Sequence, residues 1–140
     1  MTNKYKIKNS CKKKIINKNT NENLLNLLNK TIKIGRSPIH STTKWWSQTI
    51  DHKIIALLAI TSKLNILPLD FTMNYNQRNC VAMRIVHNLC TSSHSTIQKI
   101  ITDGVNRGDL IQIKPTSGDK RYSLFTASEN LLEVFIDEVN

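Results

Sequence analysis

Leu89 to Thr126, LCTSSHSTIQKIITDGVNRGDLIQIKPTSGDKRYSLFT, is the stretch whose reading decides the fold. Ile97, Ile100, Ile101 and either Gly104 or Val105 recur at the i, i+3, i+4, i+7 interval that sets apolar groups on one helical face, and that face has to be buried. His94, Ser95, Gln98, Lys99, Thr102 and Asn106 then project the other way, offering a hydrogen-bonding group at every turn. Ser92 or Ser93 stands where an N-cap accepts the first free amides, and Gly104 and Gly108 lie where a helix frays and stops. Downstream, Leu110, Ile111 and Ile113 lead into Lys114-Pro115. Thr116-Ser117-Gly118-Asp119 supplies turn chemistry, and Tyr122, Leu124 and Thr126 alternate on the return. The spacing predicts a hairpin with Lys114, Lys120 and Arg121 around its tip.

Each part has an ordinary explanation by itself. An amphipathic helix occurs in many small domains, and a charged hairpin tip is usually just solvated. In succession, though, turn, helix and hairpin are the parts of a winged helix-turn-helix, and the side chains suit nucleic acid. Gln98 has the geometry to read adenine bidentately, Lys99 reaches guanine or a phosphate, and Ser93, His94, Ser95 and Thr102 complete the face nearest the bases. Lys114, Lys120 and Arg121 would lay positive charge along a backbone or into a minor groove. Upstream, Asn79 to Leu89 places Ala82, Ile85, Val86 and Leu89 on one face of a supporting helix, leaving Arg78 and Arg84 for phosphates.

From about Asn79 onward the chain resembles the MarR-type winged-helix regulators, and its wing resembles the PadR group. The matching residues are Ser95-Thr96-Ile97 opening the helix, Gly108 and Leu110-Ile111 entering the wing, Asp119 and Arg121 at its tip, and Leu124 to Thr126 leaving it. The likeness covers under half the chain. It departs from the family at Gly104, where a buried Leu is usual, and at Asp109, which reads as an insertion after Gly108. The wing is short, with Lys120-Arg121-Tyr122-x-Leu124-x-Thr126 in the PadR manner. The resemblance implies a dimeric regulator of transcription that binds duplex DNA.

The rest of the chain sets bounds on this reading. With 140 residues and 39% apolar content the protein has room for one modest core. A net charge of +10 asks for an anionic partner, most often nucleic acid and less often a membrane surface. Residues 1–20 hold seven Lys and no acid, residues 127–140 four acids and no base, and residues 75–126 seven bases against three acids. The expected organisation is a basic, disordered arm at 1–21, a short helix and connector at 22–44, a winged helix-turn-helix domain at 45–126 and a C-terminal helix at 127–140. The expected fold class is therefore mainly α with a small β-hairpin. No apolar run is long enough for a secretory signal or a membrane span, so a cytoplasmic, nucleoid-associated protein with no membrane partner is expected.

Asn21 to Ile34 carries Leu24, Leu25, Leu27, Leu28 and Ile32 at helical spacing, with Asn21 as cap and Gly35 as stop. Trp45 to Leu64 reads as one long core helix with Trp46, Ile50, Ile54, Leu57, Leu58 and Leu64 inward and Asp51 outward; one Trp should be core and its neighbour a half-exposed flank. Thr126-Ala127-Ser128-Glu129 fits a capping box for the final helix, whose Leu131, Leu132, Phe135, Ile136 and Val139 exceed the needs of one small core. That surplus suggests a homodimer reading a two-fold site, the alternative being a stripe folded back onto Trp45 or the N-terminal helix.

Other chemistry finds little footing. The three Cys make no tight pair, which fits a reducing compartment. His87, Cys90 and His94 form H-x2-C-x3-H across the predicted turn, a ligand set for zinc or a similar metal, against packed histidines and a small buried Cys. The acids stand singly and there is neither a Gly-rich phosphate loop nor a nucleophile elbow, so neither enzyme nor cofactor is expected. Two rival functions share these residues: a winged-helix protein-interaction or assembly module, and a replication or partition DNA-binding protein of a phage or mobile element.

Overall fold

A computed structural model of the chain describes residues 17–66, 79–113 and 124–139. The chain divides into two compact units, Met1–Ser37 and Pro38–Asn140. In the first, α1 spans Lys18–Arg36. It begins earlier than expected because Asn17, not Asn21, is the cap: its Oδ1 accepts from the amide of Thr20 at 2.9 Å. The last residues assigned to the basic arm are thus helical, and Gly35 lies inside the helix. The stop falls at Ser37, whose amide reaches Ile34 O at 3.0 Å, ahead of Pro38, which cannot continue a helix.

In the second unit the predicted helix from Trp45 to Leu64 is two helices, α2 (Thr42–Trp45) and α3 (Ile50–Lys63). Two hydroxyl caps divide them: Ser41 Oγ accepts from Lys44 N, and Thr49 Oγ1 from His52 N. The break also turns α3 about its axis relative to the expected stripe. Ile50 is 75% exposed, Leu57 39% and Leu64 46%, while Asp51, Ile55, Ala56, Leu58, Ala59 and Ile60 are buried. α3 packs on the sheet, and its small Ala56 and Ala59 are fully buried. Of the two Trp, Trp46 is fully buried and Trp45 half-buried, as their division into core and flank anticipates.

The sheet has three antiparallel strands in the order β1-β3-β2: β1 (Val81–Ala82), β2 (Leu110–Ile113) and β3 (Leu124–Ala127). The β2–β3 pair, with Leu110 opposite Ala127 and Ile113 opposite Leu124, is the expected hairpin. β1 is a correction. The apolar spacing places Val81 and Ala82 in the supporting helix, but they extend to pair with Phe125 and Leu124, and helix α4 (Met83–Leu89) starts only after them. The chain is mainly helical with a small three-stranded sheet. A short turn leads from α4 to α5 (His94–Asn106), and α6 (Glu129–Val139) closes the described chain. The cap of α6 is Ser128, whose Oγ accepts from Leu131 N at 3.1 Å; Thr126 is held in β3 opposite Ile111 and is not the cap. Leu131, Leu132 and Phe135 pack into the core, and Lys53–Glu138 at 2.9 Å and Lys63–Glu129 at 3.2 Å tie α3 to α6.

Gly104 and Asp109 meet at one point in the core. Gly104 of α5 faces Trp46 and Leu110 so closely that an added Cβ would lie 2.8 Å from Trp46 Cη2 and 2.8 Å from Leu110 Cδ1. The indole cannot easily yield, because its Nε1 donates to Oδ2 of buried Asp109 at 2.8 Å. Arg107 Nε donates to the same oxygen at 3.0 Å while its guanidinium lies 4.7 Å over the Trp45 ring. Gly108, at φ 83°, makes the left-handed turn that brings Asp109 inward.

Gly104→Ala should accordingly lower stability by about 1–2 kcal/mol in urea denaturation, because overpacking costs about 1–3 kcal/mol and exceeds the helix-propensity gain of up to ~1 kcal/mol. Gly35→Ala in α1, where an added Cβ meets nothing within 4 Å, should raise helix content instead. A more stable Gly104→Ala protein would contradict this account of the Trp46 contact.

Candidate nucleic-acid interface

The segment between α4 and α5 is anchored from a distance by Asp51 in the first turn of α3. Its Oδ2 accepts from Ser92 N at 2.8 Å and from the Ser92 hydroxyl, and its Oδ1 accepts from Thr91 N at 3.3 Å. The carboxyl is 5% exposed, and burial alone would favour the neutral acid. The Ser92 hydroxyl bond outweighs burial, backbone donors at Ser92 and Thr91 and the Cys90 thiol add to it, and together they hold the carboxyl below its ordinary 3.8. The cost falls on Cys90: burial, and after it the charge of Asp51, push that thiol up to about 11, so it stays protonated.

With the turn fixed, Ser93 caps α5, its Oγ accepting from Thr96 N at 3.3 Å and donating to Thr96 Oγ1 at 2.9 Å. Ile97, Ile100, Ile101 and Gly104 are buried, with Gly104 rather than Val105 completing the stripe. The opposite face presents His94, Ser95, Gln98, Lys99, Thr102 and Asn106, all exposed. Two hydroxyls expected at the bases are otherwise engaged: Ser93 belongs to the cap, and Thr102 Oγ1 donates to Gln98 O at 2.8 Å. Arg84 is exposed on α4. Lys114, Lys120 and Arg121, together with Arg78, lie outside the described residues.

Beside this face a cleft of about 180 Å³ opens between α5 and the sheet, floored by Ile101, Val105, Leu124 and Phe125 and rimmed by Gln98, Thr102, Asn106 and Gln112. Gln112 was not among the sequence candidates. Its place in a short strand gave no hint of proximity to α5. Asp51 was also missed, since an acid in a first helical turn ordinarily faces water and its partners lie forty residues on.

The metal set does not assemble. His87 and His94 are brought together, with ring centroids 4.0 Å apart and planes at 10°, but Cys90 points its thiol at Asp51, and no group of three His, Cys, Asp or Glu suited to a metal occurs among the described residues. His87 Nε2 is buried with no hydrogen-bond partner among the described residues. Burial, then the charge of His94, lower the His87 pKa below 6.5; burial likewise lowers that of His52, which sits 5.0 Å from the Trp45 ring.

Comparison with family models, curated proteins and solved structures returns no match for this chain.

The titrations have opposite chemistry and the same sign. His52 and His87 resist protonation when folded, so the stability they contribute is complete above 6.5 and is lost as pH falls below it. Asp51 has a depressed carboxyl, so its contribution is present above 3.8 and disappears as pH falls through its lower folded value. Urea midpoints across pH should therefore fall in two stages, with Asp51→Asn removing the acid stage and deepening the histidine stage, because the Asp51 charge partly offsets the burial of His52. At neutral pH, Asp51→Ala should cost about 1–3 kcal/mol by stranding the Ser92 donors. A single stage unaffected by Asp51→Asn would refute the clamp.

Proposed function

We propose that Pro38–Asn140 is a winged helix-turn-helix unit that binds duplex DNA as a transcriptional regulator. In this reading α5 is the recognition helix and enters the major groove, the β2–β3 hairpin is the wing, and α4 supports the helix with Arg84 on a phosphate. What supports it most is the exposed face of α5. His94, Ser95, Gln98 and Lys99 crowd its first turns, on a helix whose start is fixed by the Asp51 contacts and the Ser93 cap. Base readout requires such a rigid platform because the bidentate hydrogen bonds tolerate little misplacement. Gln98 is the specificity residue of the proposal, since its amide offers a donor and an acceptor to adenine. Lys99 supplies affinity through phosphate or guanine. Lys114, Lys120 and Arg121 keep their proposed place on the backbone or in the minor groove. A two-fold partner enters the proposal through the end of α6, where Ile136 and Val139 remain 42% and 71% exposed; Leu131, Leu132 and Phe135, the rest of the surplus stripe, are buried in their own unit.

Fluorescence-anisotropy titration against a selected duplex pool and random duplex separates the roles. Gln98→Ala should relax preference at one base pair at a cost of about 1–3 kcal/mol, leaving random duplex affinity unchanged. Lys99→Ala should weaken all sequences together and reduce the salt slope by about 1. Equal weakening by both substitutions would overturn the assigned roles, and no sequence preference at any salt would favour a protein-interaction module.

A further inference from the structure

Helix α1 runs nineteen residues without burying one. Leu24, Leu25, Leu27 and Leu28 are 53–60% exposed and Ile32 44%. At the helical angle of 100° per residue these five fall within one half of the helix, while Glu22, Asn26, Asn29, Lys33 and Arg36 fall on the other. A helix in a protein draws most of its stability from packing its amphipathic face, so that face requires cover.

Charge identifies the cover. Residues 1–36 hold ten Lys and Arg against the single acid Glu22, and so carry +9 of the chain's +10; residues 37–140 carry the remaining +1. A second copy of residues 1–36 would bring another +9 against the first. Duplex DNA would take the charge but leave four leucines in water. A bilayer surface with anionic headgroups accommodates both at once, since leucines enter the acyl boundary while cations stay at headgroup level.

We propose that α1 lies flat on an anionic lipid surface, with Leu24, Leu25, Leu27 and Leu28 toward the acyl chains and Lys33 and Arg36 toward the phosphates. No helix among the described residues is long and apolar enough to cross a membrane, and none needs to. The proposal departs here from the expectation of no membrane partner, because a helix resting on the surface needs no spanning segment. The inference is independent of the duplex-binding proposal.

Vesicle sedimentation of the full-length protein tests it, using phosphatidylcholine vesicles with and without phosphatidylglycerol. Binding should require phosphatidylglycerol and fall with added salt. The pair Leu24→Gln and Leu28→Gln, chosen because Gln keeps helix propensity, should reduce partitioning at least tenfold, roughly the loss expected for two inserted leucines. Lys33→Gln with Arg36→Gln should weaken binding to the phosphatidylglycerol vesicles on the order of tenfold and leave phosphatidylcholine controls unchanged. Far-UV circular dichroism of each variant confirms that α1 is still helical.

Three results would overturn the proposal. One is equal partitioning with and without phosphatidylglycerol, or by wild type and the Leu24/Leu28 pair. Another is a wild-type oligomer in light scattering that the Leu pair dissociates while no vesicle binding is seen, which assigns the face to a second copy. The third is loss of duplex affinity by α1 variants in the absence of vesicle binding. If vesicle binding holds and the Gln98 and Lys99 substitutions fail, only the duplex reading falls.

Discussion

The α4–α5 turn and everything that depends on it rest on one buried carboxylate. Asp51 is charged, nearly inaccessible to water and surrounded by donors from a segment forty residues away. A buried charge is tolerated only when its lone pairs are filled, so α3 and the turn are mutually required. The Ser92 backbone gives the bond its direction and the Ser92 hydroxyl adds to it. Once that turn is set, Ser93 is in place to cap α5 and the Ile97–Ile101 stripe meets the core. The polar face of α5 is therefore positioned by an interaction that touches none of its own residues.

A second polar contact closes the other end of α5. Trp46, Asp109, Arg107 and Trp45 form a continuous cluster, and Gly104 is the residue small enough to let the indole lie against the helix. Gly104 and Asp109 compensate one another. The missing side chain makes room for Trp46, and the added acid satisfies its N–H. This arrangement gives α5 fixed points at both ends, and what lies between them is free to present chemistry outward.

Local pattern carried α5, the β2–β3 pair and the division of labour between the two Trp, because each follows from periodicity or turn chemistry within a dozen residues. It failed where a distant partner decided the outcome. Val81 and Ala82 look helical beside Ile85 and Val86, yet β3 claims them as a strand. Thr126 satisfies a capping box, yet the same strand needs it opposite Ile111. Ile50, Leu57 and Leu64 make a convincing helical stripe, yet the caps at Ser41 and Thr49 split the helix and Ile55, Ala56, Ala59 and Ile60 take the buried positions. The exposed side chains of α5 were legible. The Asp51 support and the nearness of Gln112 were not, since both arise from long-range contact.

The strand order β1-β3-β2 puts the last strand made at the centre of the sheet. β1 and β2 have no pairing with each other, and α3 has no sheet to lie on until Leu124–Ala127 emerges. During synthesis the ribosome therefore releases most of the domain before its keystone exists, and the apolar faces of α3 and α5 wait together with unpaired strand edges. Such delayed, non-local closure slows folding and lengthens the interval in which a chain can aggregate. A nascent chain stalled just short of β3 would leave the exit tunnel as a set of helices with half a core.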